Sequence, residues 1–552
     1  MTGRALAVTT EDVIDASAIT EYLAGLPSER EAAIRETFAR ALSERDEYRK
    51  LYTILVEENE RLKRGLLGQK AERLPKNDAQ LTLEILGMML GAQGEAAAAL
   101  PAMPPVLQTI PEHTRRKPIR KPLPEEYTRV EFDVVPLDVQ KEGTDYYERV
   151  SNTTSETLER RPASVVVVRI NRPKFVRKGG PRPGEPVFHQ APPPELPIPR
   201  AKVGPGFLAE TVVRRFDDHL PMNRLEKIYA RDGLDIPRST MCGWHAELAA
   251  LAVPVVEAMR RDALRQPYLC TDATGVLVQA KQRCRTGHFW VLVAPELHVL
   301  FEYTPKHDGA AVDRILAGYE GHLVADAHTV YDHLFKDGKV VECGCWAHAR
   351  RYFFKALGSD PERARTALAI IGALFQIERR IAKASREERQ AVRRAHSASL
   401  VDEFFSWCNR EEARVLDDTP ISKGIGYALN QRVALGRFLE DGRLPIHNNA
   451  SELQLRRQVI GRKNWLFVGT DDAAHVNTVF VSLLASCAMH RINPWEYLLD
   501  LFCLLPGWTK SRAIELAPAY WTKTRDHPDV QARLEENIFR GVALGRHTAK
   551  PP

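Results

Sequence analysis

The chain has 552 residues, 44% of them hydrophobic, which makes it long enough for several domains and apolar enough for real cores. Its eight cysteines are sparse and scattered, which excludes a disulfide framework, and no run approaches the ~20 apolar residues of a membrane span. The formal net charge of +6, from 78 basic and 72 acidic residues, is a mild mean bias; its distribution is more telling. "HTRRKPIRK" (113–121) and "RINRPKFVRKGGPRPG" (169–184) contain no acid, and such runs suit phosphate backbones, where each cation releases counterions. The first residues, "MTGRALAVTTEDVIDAS", lack an apolar signal core, so the expectation is a soluble protein of a reducing cytoplasm with no membrane partner.

Residues 1–75 are expected to form a helical, coiled-coil region. Ile34, Ala41, Tyr48, Leu55 and Leu62 fall at one heptad position, and Phe38, Tyr52, Asn59 and Leu66 at the matching one, with Arg45 as a break. Asn59 in such a seam would fix register, so the N-terminal helix is expected to join copies of the chain into a homo-oligomer. Residues 76–118, with "GAQGEAAAALPAMPP", read as a linker. Residues 119–205 form a β-rich segment: "TRVEFDVVPLDV" alternates and "ASVVVVRINRPKFV" is rich in β-branched residues.

Residues 206–262 read as a helix-turn-helix-like DNA-binding region. "PMNRLEKIYARDG" is a helix closed by Gly233, "LDIPRST" a turn with an N-cap, and "STMCGWHAELAALAVPVVEAM" a second helix that begins at Arg238, Ser239 and Thr240. From 263 to 360 the pattern is α/β. "PYLCTDATGVLVQ", "GHFWVLVAPE" and "LHVLFEYTP" are strands, "DGAAVDRILAGY" a helix, and "GHLVADAHTVYDHLF" a strand then a helix. "KVVECGCWAHARRYFFKALG" is a short strand leading into a basic helix. That order is the order of a ribonuclease H-like core. Residues 361–440 are a helical insertion, 441–510 return to the core, and 511–552 are a C-terminal tail. The fold class is therefore multidomain α/β.

Three acids stand out. Asp272 sits in an otherwise apolar strand and Asp326 at the end of another, where a carboxylate is costly unless paired or metal-bound. Glu452 follows the Asn448-Asn449 pair, read as a cap, and stands alone among Arg456, Arg457, Arg462 and Lys463. A lone carboxylate in a basic field makes sense if it holds a cation that touches phosphate. In a ribonuclease H-like sheet the first and fourth strands are neighbours, so Asp272 and Asp326 would converge and Glu452 would supply the third ligand. Three carboxylates suit two Mg²⁺ ions (Mn²⁺ able to substitute), which clamp the attacking and leaving oxygens of a phosphodiester. Candidate DNA contacts are Arg238, Ser239, Thr240, Arg350, Arg351, Arg456, Arg457, Arg462, Lys463 and Asn464. Cys343, Cys345 and His348 lack the fourth-ligand partners of a zinc site and read as core. His307, His328 and His333 have no ligand spacing, with His328 the one expected nearest the metals, and Trp346 and Trp465 read as core.

"CWAHARRYFF" (345–354), "RFLEDGRLPIHNNASELQLR" (437–456), "GRKNWLFVG" (461–469) and "INPWEYLLDLF" (492–502) together carry a resemblance to the insertion sequence 66 family of transposases, from the N-terminal helix to about residue 505. The resemblance implies an Asp-Asp-Glu triad that falls by motif on Asp272, Asp326 and Glu452. It also implies double-stranded DNA, both element ends and target, as partner, possible accessory proteins of the same element, and a place beside the bacterial nucleoid. Where the family usually has Asp before the Asn pair and Arg after the Glu, this chain has His447 and Leu453. Its segment 125–180 holds no cysteine, so the family's zinc is not expected here.

The leading expectation is a Mg²⁺-dependent DNA transposase that cleaves and transfers strands. His447 and Leu453 motivate an alternative, a catalytically impaired or domesticated transposase that binds DNA without cutting. A structure-specific nuclease is the third reading, although a simple nuclease needs neither coiled coil nor insertion.

Overall fold

A computed structural model describes residues 203–545 except 232 and 282, together with short pieces upstream at 32, 34–37, 39, 40, 168, 195–199 and 201. The chain divides into two compact units, residues 93–191 and the remainder, and everything below concerns the second. The expected coiled-coil seam, linker and β-rich segment fall almost wholly outside the described residues. The described positions between 32 and 40 are helical, with an exposed Arg40–Glu36 pair of 3.2 Å one turn apart.

Three helices open the described region: α1 (Pro205–Phe216), α2 (Met222–Arg231) and α3 (Arg238–Ala263). Leu225, Tyr229 and Met241 form a small core of their own between them. Gly233 ends α2 in the left-handed region at φ +81°, a conformation that costs glycine little. The start of α3 differs from expectation: no side chain of its own caps it. The carboxylate of Glu226 on α2 accepts from the Arg238 N–H at 3.0 Å, so the neighbouring helix satisfies that end.

The sheet has five strands: β1 (Tyr268–Val278), β2 (Arg285–Ala294), β3 (His298–Thr304), β4 (Gly321–Val324) and β5 (Val340–Cys343). Their spatial order is β3-β2-β1-β4-β5. The β1–β2 and β2–β3 pairs are antiparallel, and β1–β4 and β4–β5 parallel. Residues Trp290–Ala294 of β2 are buried on both faces because helices cover both sides. A short helix, α4 (Gly309–Ile315), links β3 to β4; the expected helix after β4 is instead a 3₁₀ turn over Thr329–Phe335.

After β5 come α5 (Trp346–Ala356) and then the insertion, α6 (Pro361–Arg380), α7 (Arg386–Val392), α8 (Ala398–Glu412), α9 (Pro420–Asn430) and α10 (Arg432–Gly436). Arg393 locks the insertion to the segment that re-enters the core. It is fully buried, pairs with Glu378 at 2.7 Å, and donates to the carbonyls of Phe438 and Asp441 at 2.8 and 3.1 Å. Gly442 lets this seam close, because a Cβ there would run into the Arg386 carbonyl.

The chain then forms α11 (Asn449–Trp465), against β1 and β2, and α12 (Asp471–Met489), against β3 and α3. Strand β3 lies at the sheet edge, where unpaired backbone groups are a liability. The hydroxyls of Ser486 and Ser482 on α12 accept from its Val299 and Phe301 N–H groups at 3.0 and 2.7 Å. Helix α12 is the one described helix long and apolar enough to cross a membrane, and 67% of that window is buried inside the fold, as in a core helix. Residues 511–545, expected as a tail, pack as helices; α14 (Pro518–Arg525), α15 (Pro528–Glu536) and α16 (Ile538–Ala543) follow α13 (Pro494–Leu504), with Trp521, Val530 and Leu534 in the main core.

Candidate active site

Asp272 lies mid-strand on β1, paired in register with Val291 of β2. Asp326 lies two residues beyond the end of β4, and β4 is the parallel neighbour of β1. Glu452 is in the first turn of α11. Burial, then the Asp326 carboxylate, then that of Glu452, push the Asp272 carboxyl up to about 7, against the pull of the Ala273 N–H and Arg351. The Ala273 N–H donates to Asp272 Oδ1 at 2.7 Å. The charges of Asp326 and Glu452 thus both reach Asp272.

Helix α5 supplies the groups that face Glu452. His348 Nε2 lies 3.6 Å and Arg351 Nη2 3.8 Å from Glu452 Oε1. The spacing of three residues puts both on one face of α5. Arg351 therefore sits within the acid cluster, while Arg350 lies over the Phe354 ring at 5.7 Å.

Asn448 has a role other than capping. Its side chain makes no cap hydrogen bond; its amide donates to the Thr271 carbonyl at 2.7 Å, one residue from Asp272. Its own N–H donates to Cys345 Sγ at 3.2 Å, and it is fully buried. Asn448 thus ties the start of the Glu452 helix to the Asp272 strand and to the turn before α5. The sequence reads Asn448 as a cap and His348 as core beside two cysteines; the one signal for a role beside the acids is their place in the two motifs that flank the insertion.

The remaining candidates separate by contact. Arg457 pairs with Asp217, just after α1, at 2.6 Å. Arg462 donates to Thr274 Oγ1 at 2.8 Å and to the Gly275 carbonyl, so it straps α11 to β1. Arg456, Lys463 and Asn464 are exposed on α11, as are Arg238, Ser239 and Thr240 at the start of α3. His328 Nδ1 accepts from the Val330 N–H at 3.2 Å and its own N–H donates to the Asp326 carbonyl at 2.7 Å. Its ring meets His307 edge-on at 4.7 Å, and His307 stacks on Trp290 at 4.6 Å. His333 instead bonds Asp313 at 2.7 Å. Cys343, Cys345, Trp346 and Trp465 are buried in the core, as their sequence context suggests.

The donor set suits a hard divalent cation, since carboxylate and amide oxygens are its preferred ligands. Two buried oxygens here, Glu452 Oε1 and Asn448 Oδ1, accept no hydrogen bond, and the mutual repulsion felt by Asp272 is what a cation would cancel. Among the described residues, no three His, Cys, Asp or Glu side chains are already gathered as ligands around one point.

A mixed five-stranded sheet among many helices, with acids and cations opposed at one end, defines a class of DNA-processing enzyme when joined to the sequence comparisons. Residues 200–476 match the family model described as "Transposase IS66 family", and residues 54–132 match "Transposase C of IS166 homeodomain". The first match spans half of the chain, which belongs to the IS66 family of transposases. Similar proteins occur in Sinorhizobium fredii. "Uncharacterized protein y4hP" is 28% identical over 491 residues, covering 84% of this chain and 88% of that protein. "Uncharacterized protein y4jD" is 28% identical over 400 residues, covering 68% of this chain and 76% of that one.

Proposed function

We propose that the chain binds the ends of an insertion sequence and catalyses Mg²⁺-dependent DNA strand cleavage and strand transfer on a ribonuclease H-like core. Membership of a transposase family supports the class of reaction, and the strand order β3-β2-β1-β4-β5 supports the fold reading. What supports the proposal is that Asp272 on β1 feels the charges of both Asp326, after β4, and Glu452, on α11, with Asn448 clipping α11 to β1.

Asp272, Asp326 and Glu452 would hold two Mg²⁺ ions. Bound there, the ions would activate the attacking oxygen and stabilise the leaving one. Asp272 would have to give up its proton to become a ligand, which its raised pKa makes harder than for an ordinary carboxylate and hardest in acid. Arg351 and His348 hold Glu452 in place, and Arg351 sets positive charge where phosphate enters. Exposed Arg456 and Lys463 extend that charge along α11, and the exposed start of α3 presents Arg238, Ser239 and Thr240 to the element end.

The second reading, a protein that holds DNA without cutting, is favoured by His447 and by the exposed Leu453 beside Glu452, where the resemblance leads one to expect Asp and Arg. Both are decided by strand cleavage on an end-containing duplex with Mg²⁺, comparing wild type with Asp272→Asn. Cutting by wild type that the substitution abolishes supports the enzyme. Equal cutting by both, or none by either with binding intact, removes it.

A further inference from the structure

One face of α11 is left uncovered in a way that core packing does not explain. Leu453 and Ile460 are 58% and 51% exposed, and Leu466 and Phe467, just past the helix, are 64% and 41% exposed. Arg456, Lys463 and Asn464 are exposed between them. Positions 453, 456, 460, 463 and 467 recur every three or four residues, so they form one stripe, and it holds no acid.

The end of the stripe is built to project. Leu466 adopts φ +67° and ψ −48°, and the Phe467 N–H donates back to the Trp465 carbonyl at 2.8 Å. This is a γ-turn of the rare, strained hand, with a bulky residue at its centre. The residues on both sides are anchored. Trp465 is buried beneath the Arg215 guanidinium, and Val468 bridges β1, its N–H donating to the Leu277 carbonyl at 2.9 Å. Arg462 straps the last helical turn to Thr274. The strain therefore holds two large apolar side chains outward from a fixed base.

We propose that Leu466 and Phe467 form a wedge that inserts between base pairs of the bound duplex and kinks it, while Arg456 and Lys463 grip the flanking phosphates. This inference rests on the DNA-cutting reading above. Apolar side chains that unstack a base step, framed by cations, are a recurring means of bending DNA. A second copy of the chain fits the stripe less well, because lysine is depleted and acids would be needed for charge balance in such interfaces. Fourteen residues separate Leu466 from Glu452, about 21 Å of helix at ~1.5 Å per residue. At ~3.4 Å per base step, the unstacked step lies within about six base pairs of the cleaved phosphate.

The test uses the full chain and duplexes carrying its element's terminal sequence, with 2-aminopurine placed in turn at each position within ten base pairs of the terminus. The base brightens when unstacked. Wild type is expected to raise its emission about threefold at one or two adjacent positions. Leu466→Ala/Phe467→Ala should abolish the rise with the Kd for DNA held within about threefold, because phosphate contacts carry most of the affinity. Leu466→Ala/Phe467→Trp should restore it. No rise at any position with wild type bound, or an equal rise in the double variant, overturns the wedge. So does a double variant whose sedimentation shows a lost oligomer, which assigns the stripe to a second copy. Mg²⁺ is then added to the same samples: unstacking without cutting removes the cutting reading and keeps the wedge, and cutting without unstacking does the reverse. A wild-type chain that binds none of the duplexes overturns both.

Discussion

Two sets of buried charge in this chain are handled in opposite ways. Among the described helices the two most fully buried arginines each have an opposite partner at close range. Arg393 pairs with Glu378 and two carbonyls, and Arg540 pairs with Asp500 at 2.5 Å where both are nearly inaccessible. Beside the central strand β1 the reverse holds, and acid neighbours acid. Asp272 is driven up to about 7 by burial and two neighbouring carboxylates, and Glu452 Oε1 accepts no hydrogen bond. The paired charges hold architecture together. Asp272 keeps two carboxylate neighbours although Arg351 lies 3.8 Å from Glu452, which is the pattern of a functional site.

Neutralising one member of each set sharpens the contrast most. Asp272→Asn keeps shape and removes charge. Strand cutting should fall by about three orders of magnitude or more, roughly 4 kcal/mol of barrier, while the melting temperature at pH 8 stays level or rises. A melting temperature that drops sharply would mean that Asp272 is an architectural charge after all. Arg393→Met should do the opposite, leaving Glu378 buried without its partner at a cost of about 3–5 kcal/mol in denaturant unfolding. A loss below 1 kcal/mol there would dissolve the distinction between the two sets.

The sequence foreshadowed the strands better than the contacts. β1, β2 and β3 follow from β-branched and aromatic runs, and Gly233 ends α2 at the left-handed conformation its residue type favours. Asp272 was legible as a polar intrusion in an apolar strand. Asn448 was not, because asparagine is a good helix cap by propensity and a carbonyl 177 residues earlier, Thr271, competes for its amide only in the folded chain. The same reason hides the Glu226 carboxylate at the start of α3. The helices after 511 begin at Pro518 and Pro528, which stand at the first helical position, where proline starts a helix as readily as it breaks one.

Asn448→Ala removes the clip between α11 and β1 without touching an acid. Cutting should fall by about 10- to 100-fold, and stability by about 1–3 kcal/mol, because the Thr271 carbonyl is left buried and unpaired. Cutting that survives unchanged in a destabilised variant would show that the clip serves the fold alone. The pH dependence tests the opposed acids directly. Because the folded pKa of Asp272 lies above its ordinary value, the folded chain holds a proton between about pH 4 and 7 that the unfolded chain has lost. This group's contribution to stability is therefore fully present in acid and is lost as pH rises through about 7. Mg²⁺ competes with that proton, so its affinity by calorimetry should rise about tenfold per pH unit up to about 7 and level off above. Asp272→Asn should flatten the slope; a slope unchanged by the substitution assigns the proton to another group.

The smallest effect concerns a paired charge that joins the two sets. Arg457 lies on the Glu452 helix and meets Asp217 at the end of α1 at 2.6 Å, with both side chains about a quarter exposed. Trp465, further along the same helix, packs under Arg215 of α1. The Glu452 helix is thus braced against the helical group whose α3 carries Arg238. At this exposure the pair is worth about 1 kcal/mol or less, so a double-mutant cycle of Asp217→Asn and Arg457→Gln should return a coupling near that size in unfolding. If the brace also passes end-binding to the acid cluster, the same cycle run on cutting rate should return a larger coupling than the one run on stability. Charge reversal at both positions, Asp217→Arg with Arg457→Asp, should then recover part of the cutting. Equal couplings in the two measurements would place this contact with the architectural pairs, alongside Arg393 and Arg540, because a brace that only holds the fold has nothing further to lose when DNA is bound.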